Sequence, residues 1–264
     1  MSRPDDRTMT RRRFGRQTGG ALAALVCGAA GCEPSAEAQA TPEAVREGRL
    51  IPRPRRDVMA SLRSGPLGLG GSNRDGVVQM PSSLAPGPLP LLLLLHGATG
   101  TGARMLSRVA AAADQAGIVV VAPDSRGGTW DAIRDEFGDD VVFVNRVLAH
   151  VFERLAVDST RLAIGGFSDG ASYALSLGLA NGDLFTRIVA FSPGFVNNVV
   201  LHGKPRVYVS HGTNDQILPI DVCSRQIVPR LRSRGYDVTF REFEGRHELP
   251  PDIQTEGFRW MTAS

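Results

Sequence analysis

From about residue 64 onward, short apolar runs alternate with longer amphipathic stretches. Pro90 opens Leu91 to Leu95, five consecutive leucines that are too few to span a membrane and end too abruptly for a helix. Such a run predicts a strand buried on both faces of a parallel sheet. Helical patterning over Ala103 to Ala116 is followed by a strand at Ile118 to Ala122 and a loop from Pro123 to Asp131. A second helix fits Val141 to Leu155, where Val141, Val144, Val147, Leu148 and Val151 share one face. Strands at Leu162 to Gly165, Ile188 to Phe191, Val207 to Ser210 and Val238 to Phe243 alternate with helices at Ala171 to Ala180, Val222 to Arg232 (bent at Pro229) and Asp252 to Met261. Before the leucines, Leu67 to Leu69 and Val77 to Met80 flank Asn73-Arg74-Asp75-Gly76, which predicts an antiparallel hairpin.

Strands alternating with helices imply an α/β fold, a mostly parallel central sheet with helices on both faces. No insertion is long enough for a large lid domain. The 264 residues, 42% of them apolar, suit one domain with a sizeable core. That domain is expected over residues 64–264, preceded by a flexible tether at 41–63 that is rich in Pro, Ala and charge and includes Pro52-Arg53-Pro54-Arg55-Arg56.

Charge changes the reading of the N-terminus. The formal net charge is only +3, and residues 1–16 alone hold six Arg against two Asp, so no basic face for nucleic acid is implied. Thr10-Arg11-Arg12-Arg13-Phe14 resembles a twin-arginine export signal, ahead of an uncharged stretch from Gln17 to Cys32 that is too short for a stable membrane span. Residues 1–40 are therefore expected to direct export across a bacterial inner membrane, to the periplasm or beyond. Ala38-Gln39-Ala40 offers a cleavage site, while Ala29-Ala30-Gly31-Cys32 resembles a lipoprotein box, the one route by which this chain would be anchored to a membrane. Either route removes Cys27, and cleavage after Ala40 leaves Cys223 without an intramolecular partner, so the fold is expected to rest on its core.

The chemistry centres on Gly166-Phe167-Ser168-Asp169-Gly170, between an apolar strand and a helix. Strand, sharp turn and helix around G-x-S-x-G make a nucleophile elbow, with small residues needed two positions either side of the serine. A serine hydroxyl needs a general base, normally a histidine oriented by a carboxylate. In the chain order Ser, acid, His, the loop after the last strand supplies His247, and the loop after Val207 to Ser210 supplies Asp215. Asp221 competes as the acid, although its place at a helix start suits capping. His202 precedes its strand, His211 precedes the acid, His150 lies on a helix and His96 is expected to fix its loop.

An oxyanion hole would draw on the backbone N–H of Asp169 and on the loop His96-Gly97-Ala98-Thr99-Gly100-Thr101-Gly102, with Ala98 preferred to Thr99. That loop lacks the Lys-Ser/Thr ending of a nucleotide P-loop. Trp130, on the loop after the second parallel strand, either walls the acyl pocket or anchors its loop, and Thr99 and Phe167 are further pocket candidates. No metal-ligand spacing is present, and neither metal nor cofactor is expected.

Together, Leu95-His96-Gly97, Asp124 to Trp130, the elbow, His211-Gly212-Thr213-Asn214-Asp215 and Gly245-Arg246-His247 resemble the small α/β-hydrolases of the phospholipase/carboxylesterase and polyhydroxybutyrate depolymerase-like group. The resemblance covers about residues 64 to 262 and implies the α/β-hydrolase fold, a Ser168, Asp215, His247 triad, Ala98 and Asp169 as oxyanion donors, and a cofactor-free serine esterase taking small or polymeric esters. Polyester depolymerase, acyltransferase and peptidase activities share that fold and triad, and a non-catalytic envelope binding protein is the alternative of a different class.

Overall fold

The computed structural model describes residues 40–263 except 56, 59, 60, 71–73, 134 and 135. The twin-arginine motif, Cys27, Cys32 and all but Ala40 of the expected export segment lie outside the described residues.

Eight strands form one sheet in the order β1-β2-β4-β3-β5-β6-β7-β8. They are β1 (Gly65–Pro66), β2 (Gly76–Gln79), β3 (Leu89–Leu95), β4 (Val119–Pro123), β5 (Val157–Phe167), β6 (Arg187–Phe191), β7 (Arg206–Gly212) and β8 (Val238–Phe243). β1 and β2 are antiparallel to their neighbours, and β3 to β8 run parallel. This mostly parallel sheet with an N-terminal hairpin is the α/β-hydrolase fold, and no large lid is evident among the described residues.

The leucine run explains how the sheet is held. Leu91, Leu93 and Leu95 enter one apolar layer and Leu92 and Leu94 the other, all fully buried, as the two-residue period of a strand requires. The first layer packs under α3 (Asp139–Phe152) and α4 (Asp169–Ala180), with α5 (Ser224–Ser233) contributing Ile227, Val228 and Leu231. The second packs under α2 (Gly102–Gln115) through Met105, Val109 and Ala113, and under α6 (Pro251–Thr262) through Ile253, Phe258 and Met261.

Two expectations need correction. The hairpin's first arm is Gly65–Pro66, not Leu67 to Leu69. The Asp75 carboxylate accepts the backbone N–H groups of Gly68, Leu69 and Gly70 at 2.7, 2.8 and 2.8 Å, so those donors are engaged in a loop and unavailable to a ladder.

Nor is the whole of 41–63 a free tether. α1 (Pro42–Arg46) is capped by Thr41, and Leu50 is fully buried in the core. The reason lies in the turn after α4. Asn181 accepts the Leu50 N–H at 2.8 Å and donates to Gly48 O at 2.7 Å, while the Asp183 carboxylate pairs with Arg49 and Arg53 at 2.9 and 2.7 Å. That turn offers acceptors which a Pro- and Arg-rich segment lacks internally. The Arg49 hydrogen bond holds the Asp183 carboxyl down at about 2, against the smaller opposing effect of burial.

Candidate active site

Parallel registration brings the ends of β5, β6, β7 and β8 to one edge: Phe167 pairs with Phe191, Phe191 with Ser210, and Gly212 with Phe243. Ser168 follows β5 directly, Asp215 follows β7 by three residues and His247 follows β8 by four. Three segments far apart in sequence therefore leave the same rim.

Ser168 sits at φ 59°, ψ −123°, a conformation most side chains avoid. It persists because the surroundings over-determine it. Its N–H donates to Phe191 O at 3.0 Å, and its carbonyl accepts from Ala171 and Ser172 at 2.9 and 3.0 Å as the first turn of α4 closes. The flanking glycines are steric necessities. A Cβ on Gly166 would lie 2.5 Å from the Gly170 carbonyl, and one on Gly170 would lie 2.3 Å from Leu95 O.

His247 Nδ1 is 2.6 Å from Asp215 Oδ2, and its Nε2 is 2.8 Å from Ser168 Oγ. An ionised carboxylate can only accept, so the proton sits on Nδ1 and leaves Nε2 free to accept from the serine hydroxyl. The Asp215 side chain is fully buried. Burial alone would raise its pKa, but the N–H of Leu218 (2.8 Å), the bond to His247 and the N–H of Ile217 (2.9 Å) together hold the carboxyl below its ordinary value. His211 backs it, with Nε2 3.2 Å from Asp215 Oδ2 and 2.7 Å from Leu218 O, while Ser224 Oγ lies 2.7 Å from Nδ1. Burial pushes the His211 pKa down, which favours a neutral ring whose Nε2–H donates while Nδ1 accepts. Asp221, the competing acid, is exposed and pairs with Arg225 at 2.7 Å, remote from this relay. His150 lies on α3, and His202 donates its N–H to Leu179 O at 3.0 Å, outside the cleft.

The loop expected to supply an oxyanion donor follows β3. Gly97 lies against the elbow so closely that a Cβ there would be 3.3 Å from Ser168 Cβ. Gly100 donates to Gly97 O at 3.1 Å, closing a turn over Ala98 and Thr99 with Thr99 at φ 57°. The Thr99 N–H is engaged by Gly128 O at 2.7 Å. The Ala98 N–H makes no hydrogen bond within the described residues, and the Asp169 N–H, in the first turn of α4, has no intrahelical partner. The geometry thus leaves Ala98, not Thr99, with a donor to offer.

The loop from Asp124 to Trp130 supports this arrangement. Thr129 Oγ1 donates to Asp169 Oδ2 at 2.6 Å, and Trp130 Nε1 donates to His96 O at 2.8 Å. Trp130 is buried and stacks on Tyr173, with ring centroids 5.1 Å apart. It does not wall the pocket, and that expectation is corrected: its indole N–H is drawn inward by the otherwise unpaired carbonyl at the end of β3. His96 accepts the Ser125 N–H on Nε2 at 3.0 Å, and its Nδ1 lies 2.8 Å from Gly97 O, so it does hold its loop. Burial lowers its pKa in line with a neutral ring. Arg74, in the hairpin loop, donates to the carbonyls of Ser125 and Gly100 and so ties both loops together.

A cleft of about 370 Å³ opens over Ser168 and His247, with Ala98, Thr99, Met105, Phe167 and Ile217 among its walls. The Phe167 ring lies 4.8 Å from the His247 imidazole, tilted by 36°. Thr99 and Phe167 thus face the cleft as expected. Met105 and Ile217, as well as Arg104 and Arg108, also line it and were not foreseen, although the two arginines one turn apart directly after the oxyanion loop were a visible signal.

Known esterases resemble this chain in part of its sequence and in its fold. The phospholipase/carboxylesterase family model matches residues 134–255, a span that contains Ser168, Asp215 and His247 but not the oxyanion loop. Feruloyl esterase C of Emericella nidulans is 29% identical over 108 residues, covering 40% of this chain, and the chain spans only 39% of that relative's length. A protein named as an esterase, NocK of Nocardia uniformis subsp. tsuyamanensis, is 30% identical over 226 residues, or 78% of this chain and 66% of that protein. Among solved structures, esterase PE8 superposes with a TM-score of 0.60 at 22% identity, over 72% of this chain and 98% of that one. By sequence and by fold the chain belongs to the α/β-hydrolase superfamily, alongside its phospholipase/carboxylesterase-type members.

Proposed function

We propose that this protein hydrolyses carboxylic esters through a covalent acyl-enzyme on Ser168. The observation that carries the reading is the relay of 2.8 Å from Ser168 Oγ to His247 Nε2 and 2.6 Å from His247 Nδ1 to Asp215. His247 takes the serine proton as Oγ attacks the ester carbonyl, and the N–H groups of Ala98 and Asp169 meet the developing oxyanion. The tetrahedral species collapses, His247 protonates the leaving alkoxide, and the alcohol departs. Water activated by the same histidine then releases the acid and restores Ser168. Buried Asp215 keeps Nε2 directed at the serine and stabilises the imidazolium formed at each step.

Ser168→Ala should abolish hydrolysis of p-nitrophenyl acetate by the folded protein. Undiminished activity would overturn the reading. The names of the curated relatives make feruloyl esters the first natural class to include in a substrate panel. Export through the N-terminal twin-arginine-like segment belongs to the same proposal, which places the enzyme in the periplasm or outside the cell, and mass spectrometry of the mature N-terminus tests it.

A further inference from the structure

The charged side chains lining the cleft are Arg104 and Arg108; no Asp or Glu lines it. Both arginines lie on α2, one turn apart. Each precedes by one residue a buried side chain of that helix, Met105 or Val109, so they flank the edge of its apolar face. Both are exposed, and neither forms an ion pair among the described residues, whereas Arg49, Arg53, Arg161, Arg206 and Arg225 are each matched by a carboxylate. Asp169, the residue after Ser168, is engaged by the Thr129 hydroxyl at 2.6 Å. Arg108 lies 6.0 Å from the centre of the Phe167 ring, which in turn faces His247, so a single aromatic ring separates this cation from the general base. Two like charges one turn apart weaken a helix. Here their placement gives the mouth of the cleft a positive field without a counter-charge.

We infer that Arg104 and Arg108 form an anion subsite, which makes the preferred substrate an ester carrying a carboxylate or comparable anionic group beside the scissile bond. The inference rests on the esterase reading and narrows it. The guanidinium fork suits bidentate capture of a carboxylate, and Phe167 offers an apolar floor for the carbons linking that carboxylate to the ester. The anionic group can belong to the acyl or to the alcohol part of the ester, and two pairs of substrates separate these sources.

For the acyl part, the pair is mono-p-nitrophenyl adipate and p-nitrophenyl hexanoate; for the alcohol part, 4-acetoxybenzoate and its methyl ester. At low ionic strength the wild-type protein should favour the anionic member of one pair in kcat/KM by roughly tenfold, a preference that shrinks in about 0.5 M salt, where the screening length is only about 4 Å. In Arg104→Gln/Arg108→Gln the anionic-to-neutral ratio should fall to about one, and Arg104→Lys/Arg108→Lys should retain part of it because the charge remains. A wild-type ratio near one in both pairs, or a ratio unchanged by the glutamine variant, overturns the subsite while leaving esterase activity established. If no ester of either pair is turned over, the esterase reading fails instead, and calorimetric titration of adipate onto Ser168→Ala decides the subsite. Binding that is lost on adding the two glutamine substitutions supports it, and no binding overturns it.

Discussion

The backbone N–H of Thr99 points at Gly128 O, 2.7 Å away, and so cannot point at a substrate. This bond orients the loop after β3 and leaves the Ala98 N–H as the donor that the proposed reaction would use for the oxyanion. Position 98 is the second residue of the turn closed between Gly97 and Gly100, with Thr99 next at φ 57°, a geometry that accepts proline at 98. Ala98→Pro should therefore keep the fold, remove one N–H and lower kcat about 100- to 1000-fold with a smaller change in KM. A kcat within about threefold of wild type, on the same scale, would return the role to another donor.

Thr99 itself carries strain, because a β-branched residue at positive φ is disfavoured. Thr99→Gly should raise stability towards urea by up to about 1 kcal/mol if relief of that strain outweighs the added freedom of the unfolded chain. A loss of stability would show that contacts of the threonine side chain dominate.

Trp130 gives a prediction that separates support from specificity. Its indole N–H is bonded to His96 O and its ring is stacked on Tyr173, away from the cleft. Trp130→Phe should cost about 1–3 kcal/mol of stability, because a buried carbonyl loses its partner, while rates across p-nitrophenyl acetate, butyrate and octanoate keep their relative order. A selective shift in acyl-length preference would put Trp130 back in the pocket wall.

Much of the fold was legible because its signals are local. The leucine run, the amphipathic helix at Val141 and the G-x-S-x-G turn each satisfy short-range rules that the tertiary structure keeps, and strand alternation places Ser168, Asp215 and His247 on one sheet edge. What could not be read depends on long-range partners. Nothing in Pro52-Arg53-Pro54 announces that Asp183 waits for the arginines, and nothing around Asp75 shows that its carboxylate will collect the amides of Gly68, Leu69 and Gly70. Trp130 was undecided for the same reason, since an indole at a loop end turns inward only where a carbonyl such as that of His96 faces it.

The anchoring of the 41–53 segment is measurable. Leu50 is wholly buried, so Leu50→Ala should destabilise the domain by about 2–4 kcal/mol in urea unfolding. An unattached tether would tolerate the change with no shift in midpoint.

Asp140 supplies a pH dependence with a definite sign. Its carboxylate accepts the N–H groups of Arg126 (2.5 Å) and Asp131 (2.7 Å), which shape the loop supporting Gly128 and Thr129. Burial, opposed by these bonds and reinforced by the neighbouring Asp131 charge, raises its pKa to about 6. With the folded value above the unfolded one, the native state holds a proton that the unfolded chain releases, so this group's contribution falls as pH rises from about 4 to 6. The stability of wild type minus that of Asp140→Asn should shrink by on the order of 2 kcal/mol over that interval, measured by urea titration at each pH. A difference that is flat, or grows with pH, would contradict the assignment.

The central claim is that Ser168 is a nucleophile activated by His247. Its most direct measurement is intact-mass and peptide mapping after exposure to a fluorophosphonate. The account predicts one covalent adduct, on Ser168, formed rapidly by wild type, absent in Ser168→Ala and greatly slowed in His247→Ala. Folded wild-type protein that stays unlabelled, or an adduct mapping to another residue, would contradict it.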